Sequence, residues 1–184
     1  MADPLSAEAN LLGALALVLT DQMAAAGAAE AGESGAAAAA LTSLHQFLDR
    51  PTLDTLRRVL GLTHSGAVRL VNRLEAEGLV TRAPGADGRS RAVTLTPAGR
   101  QAATRVAAAR AAVLERALRG LPPDSRATLH ELLGPVLAAI VQGKDGGAWI
   151  CRLCDLPACG RDQGRCPTAN AAAARFGVDQ TGAS

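Results

Sequence analysis

Between Thr63 and Gly78 the apolar residues Ala67, Leu70, Val71 and Leu74 fall at i, i+3, i+4 and i+7. That spacing is one apolar stripe on a helix of about four turns. Thr63 is a good N-cap, and Gly78 stands where a left-handed residue commonly ends a helix. Residues 79–83 and 91–95, rich in Val, Thr and Leu, read as two short strands. The turn-forming run Pro84-Gly85-Ala86-Asp87-Gly88-Arg89-Ser90 joins them. Upstream, residues 52–60 predict a shorter helix with Gly61 at the turn that follows. Downstream, Thr96 caps and Pro97 opens a long helix that runs to about Gly120.

The flanking segments are helical as well. Residues 5–27 place Leu5, Leu12, Leu15 and Leu19 on one side and Leu11 and Val18 on the other. A helix apolar over more than one face is expected to be covered by more than its own subunit. After a break at residues 30–35, residues 36–48 predict an alanine-rich helix with Leu41, Leu44, Phe47 and Leu48 as its bulky core residues. The polyalanine is low in complexity, but alanine is the best helix former. Pro122-Pro123 opens a last long helix striped by Leu129, Leu132, Leu133, Val136, Leu137, Ile140 and Val141. Pro135 lies inside that stripe and should kink it, because proline lacks an N–H and crowds the carbonyl of Glu131. Beyond a Gly-rich charged loop at 144–147, residues 170–176 suggest a short helix and 177–184 a frayed end. No apolar run reaches membrane-spanning length, and the acidic start lacks the basic residues of a signal peptide. The expectation is a cytoplasmic protein with no membrane contact.

The net charge of +2 says little until it is divided along the chain. Residues 57–105 hold nine arginines against three carboxylates, whereas residues 1–56 hold one arginine against seven. Positive charge is thus gathered where the short helices and the hairpin lie, as a phosphate-binding face requires. The single lysine, Lys144, beside eighteen arginines and abundant alanine points to a GC-rich coding bias. With Phe47, Phe176 and Trp149 as the only aromatic residues, stacking on single strands is disfavoured and duplex DNA is the expected partner. Ser65, Arg69, Asn72 and Arg73 fall away from the apolar stripe. They present two forked guanidiniums, an amide and a hydroxyl, the groups that read base edges in a major groove. Arg91, opening the second strand, joins this set. His64 either donates to a phosphate or base or is a plain surface residue. Asp87-Gly88 is either turn chemistry alone, or Asp87 orients Arg89 toward a narrow minor groove.

A helix-turn-helix followed by a basic-tipped hairpin is a winged helix-turn-helix, and here the chain resembles the MarR family of bacterial transcription regulators. Asp87-Gly88-Arg89 followed by Leu95-Thr96-Pro97-Ala98-Gly99 matches that family's wing signature, and Ser65 to Leu79 matches its recognition helix. The resemblance runs from about Leu5 to Gly143. It favours the minor-groove role for Asp87 and Arg89. It also implies a dimer interface built from the first and the last two long helices, and a small-molecule effector bound between those helices and the DNA-binding lobes. Arg57 departs from the pattern, standing where the family usually has a small apolar residue.

All four cysteines lie within sixteen residues: Cys151, Cys154, Cys159 and Cys166, spaced C-x2-C-x4-C-x6-C among Pro157, Gly160, Gly164 and Pro167. Two disulfides do not suit a reducing cytosol, and a redox Cys-x-x-Cys lacks the βαβ context it needs. A four-thiolate metal site remains, zinc or, as the alternative, an iron–sulfur cluster. Arg152, Arg161 and Arg165 would offset the thiolate charge. No phosphate loop, nucleophile elbow or zinc-hydrolase pattern is present, and His45 and His130 sit in apolar helical patterns, so the reading is not an enzyme.

The expected fold is mainly α with a small β-hairpin wing, a winged helix-turn-helix between long dimerisation helices. Residues 1–48 would be N-terminal dimerisation and support helices, 49–96 the DNA-binding lobe, 97–143 the C-terminal dimerisation helices and 148–176 a metal-binding tail. The expected function is a homodimeric regulator, a repressor on a palindromic operator, modulated by a small ligand or by metal or redox state at the tail. The alternative is a metal- or redox-handling assembly protein whose winged helix makes protein contacts.

Overall fold

A computed structural model of the chain describes residues 6–31, 35–85, 90–141 and 149–177. Helix α1 spans Ala7–Ala31, α2 Gly35–Gln46, α3 Leu53–Leu60 and α4 His64–Ala76. Strands β1 (Val80–Pro84) and β2 (Arg91–Leu95) pair antiparallel with Val80 opposite Leu95 and Pro84 opposite Arg91. Helices α5 (Pro97–Leu118) and α6 (Pro123–Ala139) follow, then two short helices, α7 (Leu156–Cys159) and α8 (Pro167–Phe176). Single 3-10 turns at Cys151–Leu153 and Arg161–Gln163 complete the tail.

Two caps hold at the sequence-predicted places, Thr63 accepting from the Gly66 amide and Thr96 from that of Gly99. Thr52, expected as the first residue of its helix, is instead a third cap and accepts from the Thr55 amide. Each satisfies a backbone donor that the first helical turn leaves orphaned. Gly61 and Gly78 take the left-handed conformation that ends α3 and α4.

The core joins α2, α3, α4, the hairpin and the first half of α5, with Leu41, Leu56, Val71, Leu74, Val80, Val93 and Val106 almost wholly inaccessible. The polyalanine is part of this core. Ala37, Ala38, Ala39 and Ala40 are buried, while Leu44, Phe47 and Leu48, expected as its bulky centre, are only half-buried. Methyl-sized side chains let α1 approach closely, and a Cβ built on Gly27 would stand 3.2 Å from that of Ala38. Arg57, the departure noted in the sequence, stays out of the core. Its Nε meets Asp54 Oδ1 at 2.7 Å while Leu56 and Val59 fill the buried face of α3.

Two expectations are corrected. Helix α1 ends at Ala31, four residues beyond the predicted end, and residues 7–30 are long and apolar enough to cross a membrane by length and composition. The sequence reading missed this because Ala, Gly and Leu follow one another without a long leucine run. The first half of α1 lies exposed, with Leu11 69% and Leu17 64% accessible. The stripe of α6 is likewise uncovered: no residue of α6 is buried, and Leu132, Leu133, Val136 and Ile140 face out. Pro135 lies within the helix, which continues to Ala139.

Candidate nucleic-acid interface

Helix α4 turns Ala67, Leu70, Val71 and Leu74 into the core, which fixes the opposite face outward. His64, Ser65, Arg69, Asn72 and Arg73 are all exposed on it. Among the described residues Arg69 has no hydrogen-bond or ion-pair partner, so its fork is available to a base edge. Arg73 reaches Glu77 only loosely, at 3.9 Å, a surface pair of little strength. The Ser65 hydroxyl lies 3.3 Å from that of Thr63 at the helix N-terminus. Arg91 is exposed at the start of β2, opposite Pro84 at the base of the wing. Asp87 and Arg89 lie outside the described residues.

Two arginines that the sequence reading did not select fasten the wing, Arg82 to the reading helix and Arg50 to the connection between α2 and α3. Arg82 of β1 sends Nη1 to Glu75 Oε2 at 2.6 Å and Nη2 to Asn72 Oδ1 at 2.5 Å. Asn72 therefore presents its amide nitrogen outward, and its donor and acceptor ends are assigned by the wing rather than by the DNA. Arg50, with a left-handed backbone (φ 46°), donates from Nη2 to the Pro84 carbonyl at 2.9 Å. The signal for Arg82 was present: on an antiparallel hairpin its position alternates toward the preceding helix. Arg82→Met should cost no more than about 1 kcal/mol of stability, since the ion pair is partly solvated. It should nevertheless free Asn72 to rotate and broaden base preference at one operator position, measured by titration against single-base operator variants.

The junction of helix, wing and α5 is fastened at Thr96. Its hydroxyl donates to the Gly78 carbonyl at 2.7 Å, and its amide donates to the Leu79 carbonyl at 3.0 Å. Gly99 allows this closeness. A Cβ there would stand 1.9 Å from the Leu79 oxygen, an impossible approach. The Leu-Thr-x-x-Gly pattern is thus a joint that aims α4 against α5.

The four cysteines also meet. The Cys151 thiol donates to the Cys154 sulfur, and this bond together with burial pushes Cys151 up. The same bond, aided by Arg110, Arg161 and Arg152, brings Cys154 down to about 7. Burial, and then the neighbouring Cys166 and Cys154, raise Cys159 against a backbone hydrogen bond at Arg161. Cys151 and Cys166 are buried. The Cys159 thiol donates to the Leu156 carbonyl at 3.4 Å, and the Cys154 sulfur lies 4.0 Å from the Ile150 carbonyl. As they stand, among the described residues no three His, Cys, Asp or Glu side chains are set to grip one ion.

The sequence model of the MarR family matches residues 32–90. Among solved structures, a MarR-family transcriptional regulator from Silicibacter pomeroyi is 30% identical, with 68% of this chain and 87% of that chain covered and a TM-score of 0.53. A probable transcriptional regulator from Pseudomonas aeruginosa is 28% identical over 68% of this chain and 96% of that one, with a TM-score of 0.52. A MarR-family protein from Mycobacterium tuberculosis, in complex with salicylic acid, is 26% identical over 74% and 99%, with a TM-score of 0.57. None of the curated proteins matches the chain.

Proposed function

The chain belongs to the MarR family of transcriptional regulators, and we propose that it binds a palindromic operator as a homodimer and represses transcription there, as a cytoplasmic, non-catalytic protein. The observation that carries this reading is the exposed face of α4, where Arg69, Asn72 and Arg73 stand together and the wing fixes the orientation of Asn72. Groups held rigidly on a helix read base edges with discrimination, whereas mobile surface arginines only neutralise phosphate. The two-fold arrangement is supported by the uncovered apolar faces of α1 and α6. Leu11, Leu15, Leu132 and Ile140 are each at least half exposed, more apolar surface than a monomer ordinarily leaves in water. A second copy would cover them and set two reading helices on successive turns of one DNA face.

A small organic acid is the effector this reading favours. A cavity of ~350 Å³ opens between α1, α2, α5 and the first turn of the tail. Met23, Ala39 and Val106 supply apolar walls, and Arg110 and Arg152 supply positive charge at its edge. Its size suits a compact ligand, and the Mycobacterium tuberculosis relative holds salicylic acid.

The purified chain should sediment at twice its 18.6 kDa mass and retard DNA from its own upstream region. The affinity should fall steeply with salt, as counterion release requires. A species of 18.6 kDa that retards no DNA would turn the reading toward protein contacts for the winged helix.

A further inference from the structure

The four-cysteine tail bridges two parts of the chain that otherwise hardly meet. At one end, the turn carrying Cys151 docks on α2: the Ser43 hydroxyl donates to the Arg152 carbonyl at 3.1 Å. The Leu156 amide donates to Gln46 Oε1 at 3.3 Å, and the Arg161 guanidinium lies 5.6 Å over the Phe47 ring. At the other end, Cys166 caps α8, and α8 is the element that α6 chiefly packs against. Arg175 of α8 donates to the Val141 carbonyl at 2.9 Å, and Pro167 lies against Gly134. Helix α2 in turn is hooked to the reading lobe, where the Pro51 carbonyl accepts from Val93 of the wing and Thr52 bridges to Ala92. Few large apolar side chains hold the tail together, for among the described residues Leu156 is its one bulky buried residue besides the cysteines. Cys151 and Cys166 are buried there, and the cysteines from the two ends act on one another, Cys151 on Cys154 and Cys166, and Cys159 on Cys154 and Cys166, with Arg110, Arg152 and Arg161 acting on Cys154. Soft sulfur donors in a cationic setting suit a thiophilic metal, because the arginines offset the charge of four thiolates.

We propose that Cys151, Cys154, Cys159 and Cys166 are the ligands of a four-thiolate metal centre that clamps α6 to α2 and so sets the operator affinity of the reading lobe. Its regulatory half rests on the DNA-binding reading above. Metal binding is folding free energy where the site has no core of its own. Losing the metal should therefore loosen the link between α6 and α2 and leave the separate helices intact. Zinc and an iron–sulfur cluster share this thiolate chemistry, and colour distinguishes them.

The full chain, purified under nitrogen, should carry one centre per chain: a colourless protein with one zinc, or a brown one with iron and sulfide. Stripping it with a chelator and restoring zinc, or iron with sulfide, should change operator affinity reversibly, by about 5–150-fold. Cys159→Ser should lose the metal, behave as the stripped protein and keep its helical circular dichroism. Stripping the unaltered chain gives the same comparison should that variant fail to fold. A chain isolated under nitrogen with four titratable thiols, no metal and no zinc uptake overturns the centre. Loaded and stripped forms that bind the operator equally overturn the clamp. If neither form retards DNA while the metal is bound, it is the DNA-binding reading that falls.

Discussion

Gly99→Ala should lower the stability of the chain by about 3 kcal/mol or more and abolish operator binding. One added methylene in a packed site costs roughly 1–3 kcal/mol when neighbours can yield. Here the neighbour is backbone: the Leu79 oxygen would lie 1.9 Å and its carbonyl carbon 2.9 Å from the new methyl. Moving Leu79 also breaks the bond from the Thr96 amide and disturbs that from the Thr96 hydroxyl. Each such bond contributes about 1 kcal/mol. A domain of this size has only about 5–15 kcal/mol to lose. Gly13→Ala is the control. Nothing lies within 4 Å of a Cβ there, and the exposed helix α1 should gain up to about 1 kcal/mol from the better helix former. Denaturant midpoints of the two variants, compared with the parent, test the pair. A Gly99→Ala protein as stable as the Gly13→Ala protein would refute the joint at Thr96.

Arg69→Ala should weaken cognate binding by about 1–3 kcal/mol, roughly 5- to 150-fold in Kd, and flatten preference at one base position. Arg69 is exposed on α4, and no described group competes for its donors. Stability should hardly change, since truncating an exposed side chain removes no core contact. Arg91→Ala, at the wing base, should instead weaken all sequences alike and reduce the salt slope by about 0.9 if one phosphate contact is lost. The measurement is a salt series on cognate and scrambled DNA. Equal losses on both duplexes for Arg69→Ala would demote it to a phosphate contact.

The reading lobe was legible because its signals are local. A cap three residues before its accepted amide, a stripe at helical spacing and a turn-rich run between two Val- and Thr-bearing segments each depend on neighbours in sequence. Thr63, Gly78 and Thr96 stand as those rules place them. The partnerships of Arg82 were less legible, since the distance from Asn72 to β1 depends on how the hairpin folds back on α4. Burial of the alanines in α2 was missed for a related reason. Composition reveals helix propensity but not how near the neighbouring helices come. The first half of α1 and the stripe of α6 are exposed, and for α1 the sequence predicts cover from beyond one chain. That followed from apolar residues lying on more sides of α1 than one neighbour can occupy. The meeting of Cys151 with Cys166 depended on the intervening turns, which left-handed Gly160 and Gly164 close.

The buried alanine run of α2 has a consequence for how the gene can drift. Repetitive alanine codons gain and lose units readily, and on a surface helix one extra residue would pass unnoticed. In α2 a single inserted alanine would advance everything after it by about 100° around the axis and 1.5 Å along it. Leu41 would swing out of the core, and Ser43 and Gln46 would face away from the turn they hold. The tract that looks freest to vary in composition is therefore rigidly fixed in length, a spacer whose phase is its function.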